Sequence, residues 1–192
     1  MTEYTRPDDS APTLSMQWKS ENVIVSGLRD STMLLYDTRA RDEVVRLRHG
    51  TSVMKLHCID DHKILLRGPS HLDMYDLRYS KPAHEYRSTE PWLHYPNYDN
   101  QRWKSFDIDV SPRLGLLAVS LETTTEIWNL WTGNKIRDVS SSPSQPNPMQ
   151  KSEVVMFTRN NHKAHFFTEE SDPVGLLVAD ESQVLEWDVE AR

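Results

Sequence analysis

The chain has 192 residues, 37% of them hydrophobic and 27% charged, with a formal charge of −7 and a mean hydropathy of −0.67. It holds no run of ~18 apolar residues of the kind that crosses a membrane as a helix, its one cysteine, Cys58, excludes a disulfide framework, and its acidic balance argues against a direct nucleic-acid binder. At this length a sizeable core forms without metal or disulfide staples.

Residues 1–12 are polar, carry Glu3, Asp8 and Asp9, and read as a disordered tail rather than a signal peptide. From residue 13 the chain falls into four similar units, predicted at about 13–48, 49–88, 103–139 and 152–192. The first unit has an alternating run, Leu14-Met16-Trp18, the period of a half-buried strand. Val23-Ile24-Val25 follows, then turn residues Leu28 to Ser31, then Met33-Leu34-Leu35-Tyr36-Asp37, and a more polar strand over Val44 to Arg48. The second unit repeats the order with Val53-Lys55-His57, Ile64-Leu65-Leu66, the turn Gly68-Pro69-Ser70, Leu72 to Asp76, and Ala83 to Tyr86. An insertion over 88–102, with Trp92, Tyr95 and Tyr98, reads as a packed loop, because its aromatics would otherwise lie in solvent.

The third unit runs through Phe106-Ile108-Val110, Leu116 to Val119, Thr125 to Asn129 and Lys135 to Val139. A Ser/Pro-rich insertion over 140–151 has nothing with which to pack. The fourth unit has Val154 to Phe157, an insertion over 159–173, Leu176 to Ala179 and Val184 to Asp188, and stops at Arg192 without a fourth strand. No sustained 3.6-residue period competes, so the sequence predicts an all-β protein with almost no helix.

An aromatic residue followed by Asp or Asn closes the third strand of every unit: Tyr36-Asp37, Tyr75-Asp76, Trp128-Asn129 and Trp187-Asp188. The first spacing, 39 residues from Asp37 to Asp76, is close to the ~40–45 residue period of a propeller blade, and the insertions account for the longer ones. Four units of this design resemble the WD-repeat β-propeller. That resemblance implies about four blades of antiparallel strands and a protein-interaction scaffold rather than an enzyme. It also implies a His/Asp network within the blades, for which Asp30 and His49 fit the aspartate and histidine positions. Four blades, the last lacking its outer strand, read either as a compact four-bladed ring with an unusual closure or as an incomplete propeller, the C-terminal part of a larger one, and the low glycine count favours the second.

The first two units extend to Asp37-Thr38-Arg39 and Asp76-Leu77-Arg78, whereas the other two have no Arg there. Consecutive Asp-x-Arg repeats resemble the substrate receptors of cullin-4 RING ubiquitin ligases. Gly27 to Pro82 and Ser111 to Val119 are similar to a divergent, fungal-type member of the cullin-4-associated factors. The resemblance implies that Arg39 and Arg78, oriented by Asp37 and Asp76, contact the ligase's damaged-DNA-binding adaptor, that another face holds a protein substrate, and that the protein works inside the cell, in nucleus or cytoplasm. Charge agrees, since residues 36–87 carry 10 Lys/Arg and 8 Asp/Glu while the remainder carries 12 and 21. The same arrangement also serves as a local surface ion pair, and a scaffold in some other multiprotein assembly stays open.

No P-loop, Gly-x-Ser-x-Gly or His-Glu-x-x-His pattern occurs. Cys58 beside His57 and His62 lacks zinc spacing and reads as a small buried apolar group. His162 and His165 read as solvated, Asp107 and Asp109 as the polar face of an inner strand, and no cofactor or metal is expected.

Overall fold

Each run of alternating or β-branched residues bounded by turn residues forms a strand, and successive strands pair antiparallel with their sequence neighbours. The computed structural model describes residues 11–40, 42–81, 88–100, 107–121, 124–140, 152–159, 173–180 and 183–188. Among them the strands form four antiparallel sheets, and there is no helix. The chain divides into two compact units, residues 1–92 and 93–192.

In the first unit, sheet one consists of β1 (Thr13–Ser20), β2 (Val23–Leu28), β3 (Thr32–Asp37) and β4 (Asp42–Arg48), in that order. The β2–β3 turn closes on Ser31, at φ +74°, and on Asp30, whose Oδ1 accepts the Thr32 N–H at 3.1 Å. Sheet two carries β5 (Lys55–Cys58), β6 (Lys63–Arg67) and β7 (Leu72–Asp76). Beyond β7 the Trp92 N–H donates to the Met74 carbonyl at 2.8 Å, so the segment expected to be an insertion runs alongside this strand. The strand predicted over Ala83 to Tyr86 lies outside the described residues.

The two sheets share one core, in which Val25, Met33, Leu35 and Leu47 of sheet one meet Val53, Leu56, Ile64, Leu66 and Tyr75. Polar groups stitch β1 to the β5 region. The Cys58 N–H donates to Gln17 Oε1 at 2.9 Å, Ser15 Oγ to the Val53 carbonyl at 3.3 Å, and Lys19 Nζ to the Asp61 carbonyl at 2.6 Å. Gln17, Ser15 and Lys19 share one face of β1, so the opposite face carries Leu14, Met16 and Trp18. The register corrects the expectation that this apolar face is the covered one. Met16 pairs with Ser26 and Trp18 with Ile24, as Leu56 pairs with Leu66 and Cys58 with Ile64. Leu56 is 8% exposed against sheet one, while its counterpart Met16 is 68% exposed and Trp18 is 60% exposed.

His49 lies in this core. Its Nδ1 is 3.2 Å from the Tyr75 hydroxyl and 3.4 Å from Asp73 Oδ2, and all three residues are buried. The buried carboxylate beside His49 is therefore Asp73 of β7, a residue the sequence did not single out, while Asp30 serves its own turn.

The second unit opens with the two-residue strand β8 (Leu93–His94). A sheet of β9 (Ile108–Ser111), β10 (Leu116–Ser120), β11 (Thr124–Asn129) and β12 (Lys135–Ser140) follows, then a three-stranded sheet of β13 (Ser152–Arg159), β14 (Pro173–Asp180) and β15 (Gln183–Asp188). Ala118, Ile127 and Val139 form a core cluster with Leu176 of β14. Trp128 is fully buried, its Nε1–H donates to Glu126 Oε2 at 3.2 Å, and its ring meets Tyr95 edge-on at 5.9 Å. The Tyr95 hydroxyl donates to the Leu130 carbonyl at 2.6 Å. Two aromatics of the predicted packed loop, Tyr95 and Tyr98, are thus buried, whereas Trp92 stays 48% exposed. Residues 1–10, 101–106, 141–151 and 160–172, with Trp103, the Ser/Pro-rich insertion, His162 and His165, lie outside the described residues.

Candidate functional site

A strand that ends at a sheet rim leaves its last backbone groups to be satisfied by a turn, and a carboxylate or amide at the last position does this by accepting the N–H two residues on. Asp37 ends β3 opposite Val23, and Asp76 ends β7 opposite Lys63. Asp37 Oδ1 accepts the Arg39 N–H at 2.8 Å, and Asp76 Oδ1 accepts the Arg78 N–H at 3.0 Å. The intervening residue repeats too, since the Thr38 N–H donates to the Asn22 carbonyl at 2.9 Å and the Leu77 N–H to the His62 carbonyl at 2.8 Å. β11 ends in the same way. Asn129 Oδ1 accepts the N–H groups of Trp131 at 3.0 Å and Thr132 at 2.9 Å, and the Leu130 N–H donates to the Gly115 carbonyl at 2.7 Å. The turn therefore belongs to the repeat, and an amide makes it as well as a carboxylate does.

What the first two repeats add is the guanidinium. Arg39 Nε donates to Asp37 Oδ1 at 3.1 Å and its Nη2 to Asp37 Oδ2 at 2.8 Å; for Arg78 and Asp76 the same bonds are 2.9 and 2.6 Å. Each fork is held two-point on a carboxylate that the strand end itself positions. The carboxylates are sheltered, with Asp76 1% and Asp37 17% exposed, while the Arg39 and Arg78 side chains are 68% and 47% exposed. Two of five guanidinium N–H donors are used on the aspartate, and the outer edge of each fork faces away from it. The structure thus brings all four residues predicted as a site into two equivalent pairs, on two sheets joined by one core. A preset Arg loses little conformational freedom on meeting an acceptor.

Hydrogen bonds from the Arg39 side chain hold the Asp37 carboxyl well below the usual carboxylate range, and those from Arg78 hold Asp76 down at about 2. The Asp76 bonds in turn raise Arg78 above its ordinary value. A carboxyl whose folded pKa is depressed stabilises the fold above its unfolded value, near ~3.9, and that contribution fades as pH falls through the folded one. We expect the urea midpoint of the protein to fall between about pH 4 and pH 2. Asp76→Asn keeps the turn, as Asn129 does, and should show a smaller drop over that window in urea melts at matched pH. An equal drop would mean that other carboxyls carry the acid sensitivity.

Sequence reasoning missed the neighbours of the second pair. The Arg78 guanidinium carbon lies 5.3 Å from the centre of the exposed Tyr79 ring. Lys63, which faces Asp76 across the ladder, places Nζ 5.7 Å from the Trp92 ring and 3.1 Å from Asp60 Oδ2. Tyr79 follows the motif directly, which is a legible signal; Lys63 is found only through the register. Cys58, expected to be buried, is half-buried against the core, which raises its thiol, and among the described residues no group of three or more His, Cys, Asp or Glu is placed to hold a metal ion.

No protein-family model matches the chain. Over 87 residues it is 28% identical to WD repeat-containing protein 21 of Schizosaccharomyces pombe (strain 972 / ATCC 24843), a match that takes in 43% of this chain and 21% of that protein. The chain thus spans about a fifth of the length of the curated relative it matches. Among solved structures it is similar to the computationally designed Ika4 protein, with a TM-score of 0.61 and 13% identity over 99% of this chain and 100% of that one. It is also similar to the designed Ika8 protein, with a TM-score of 0.57 and 14% identity over 92% of this chain and 46% of that one. These likenesses bear on fold alone. Together with the four antiparallel sheets they make the fold an all-β propeller type, and the curated match supports its WD-repeat character.

Proposed function

We propose that the chain is a protein-interaction scaffold which acts as a substrate receptor of a cullin-4 RING ubiquitin ligase and docks on the damaged-DNA-binding adaptor through Arg39 and Arg78. The observation that carries this reading is the repetition of one device, an exposed guanidinium locked on its own sheltered aspartate, at equivalent positions of two successive sheets. A generic turn needs no such Arg, because β11 makes it with Asn129 and Trp131. Two forks at equivalent strand ends of successive sheets suit a partner with paired acidic or carbonyl acceptors, and the stretch 36–87 that holds them carries 10 Lys/Arg against 8 Asp/Glu in an otherwise acidic chain. The remaining surface would hold a protein substrate; no nucleic acid, membrane or cofactor has a part.

The test is a titration of purified adaptor into the full chain. Arg39→Ala with Arg78→Ala is expected to weaken binding by on the order of tenfold or more, the effect of removing central charged contacts from an interface. Undiminished binding would remove these residues from the interface. No binding by the unaltered chain would overturn the ligase role and leave a scaffold of some other assembly.

A further inference from the structure

We propose that the rim of sheet two is the anchor of this docking surface, with Tyr79 and Trp92 seating an apolar side chain that stands on the partner beside a carboxylate for Arg78, and with Arg39 a peripheral contact. The inference rests on the docking reading above and adds to it two residues and an order of importance.

The two Asp-x-Arg pairs are alike, but their surroundings differ. After Arg39 comes Ala40, and after Arg78 comes Tyr79. Opposite Asp37 across the ladder stands Val23, and opposite Asp76 stands Lys63. Trp92, beside Lys63, completes an assembly that sheet one does not build.

Tyr79 is 72% and Trp92 48% exposed, whereas the neighbouring Tyr95 and Tyr98 turn inward. Neither exposed ring sits on loose backbone. The Tyr79 N–H donates to the Asp76 carbonyl at 3.1 Å, which Ser80 also engages through its N–H at 2.9 Å and Oγ at 2.8 Å. The Trp92 N–H is tied to Met74 of β7 at 2.8 Å. Each ring also has a cation beside it, Arg78 for Tyr79 and Lys63 for Trp92, which limits its rotamers. Rings held in place lose little entropy on binding. Trp, Tyr and Arg are the residue types that dominate interface energetics when a partner excludes water from them. The carboxylates of the cluster, Asp60 and Asp76, are already paired with Lys63 and Arg78. Arg78 is 47% exposed over an Asp76 that is 1% exposed, so its charge faces outward, whereas Lys63 is 18% exposed against 41% for Asp60. The matching surface is therefore apolar at its centre with a carboxylate set against Arg78.

The experiment uses the full chain, purified adaptor and calorimetry. Tyr79→Ala and Trp92→Ala should each weaken binding about tenfold or more, Arg39→Ala about threefold or less, and Tyr79→Phe should stay near the unaltered value. Unfolding midpoints of the variants are measured alongside. If Trp92→Ala unfolds early, Trp92→Phe takes its place, with the same loss in smaller measure. If the unaltered chain binds and Arg78→Ala weakens it, but the aromatic variants bind fully, the anchor is refuted and the docking reading stands. An effect of Arg39→Ala equal to that of Tyr79→Ala refutes the asymmetry. No binding by the unaltered chain refutes both.

Discussion

Replacing Trp128 with alanine should destabilise the second unit by about 3–5 kcal/mol, the usual cost of emptying a fully buried aromatic site. Three features place it at the upper end of what a single change does here. The ring is wholly inside, so its removal leaves a void that surrounding strands fill only in part. Its edge-on partner Tyr95 loses a face contact while its own hydroxyl remains bound to the Leu130 carbonyl, so Tyr95 cannot swing into the space without breaking that bond. Glu126, 7% exposed, loses the indole N–H that it accepts, while its ion pair with Lys135 remains. Hydrogen exchange resolves the effect by location: amides of β10 to β12 should exchange faster, while those of β2 and β3 hardly change. Equal acceleration in both units would show that they unfold as one. Trp128→Phe keeps the packing and loses the N–H, so it should recover more than half of the loss.

The second large effect is expected at Gly68. An added Cβ there would lie 2.0 Å from Thr51 Oγ1 and 2.6 Å from the Ser52 carbonyl oxygen. The first contact could be relieved by turning a side chain. The second is backbone, next to Val53, which is fully buried at the meeting of the two sheets. Gly68→Ala should therefore cost about 1–3 kcal/mol or more through overpacking, read as a lower urea midpoint with an unchanged slope. Thr51→Ala in the same chain should restore only part of it, because the carbonyl remains in the way. Full restoration would show that the crowding is side chain alone.

Most of the strand order was legible because it is written locally. Val23 to Val25, Ile64 to Leu66 and Leu116 to Val119 are short apolar runs between turn residues, and each forms a strand paired with its sequence neighbours. The aspartates of the candidate site were legible for the same reason, since a strand-terminal Asp binding the N–H two residues on is a contact within three residues. Less legible was the strand side of the aromatic insertion. Pro91, Trp92 and Tyr95 give no period to follow, and what aligns Trp92 is a bond to Met74, 18 residues earlier.

The sequence by itself therefore determined the all-β class, the repeated strand order and the pairing of Asp37 with Arg39 and of Asp76 with Arg78, all of which depend on near neighbours along the chain. Only the tertiary structure decided which face of β1 is covered, that His49 meets Asp73 and Tyr75, and that Lys63 and Trp92 join Arg78 and Tyr79 at one rim. The physical reason is that alternation states which side chains share a face of a strand, whereas what lies against that face depends on sheets brought together from far along the chain.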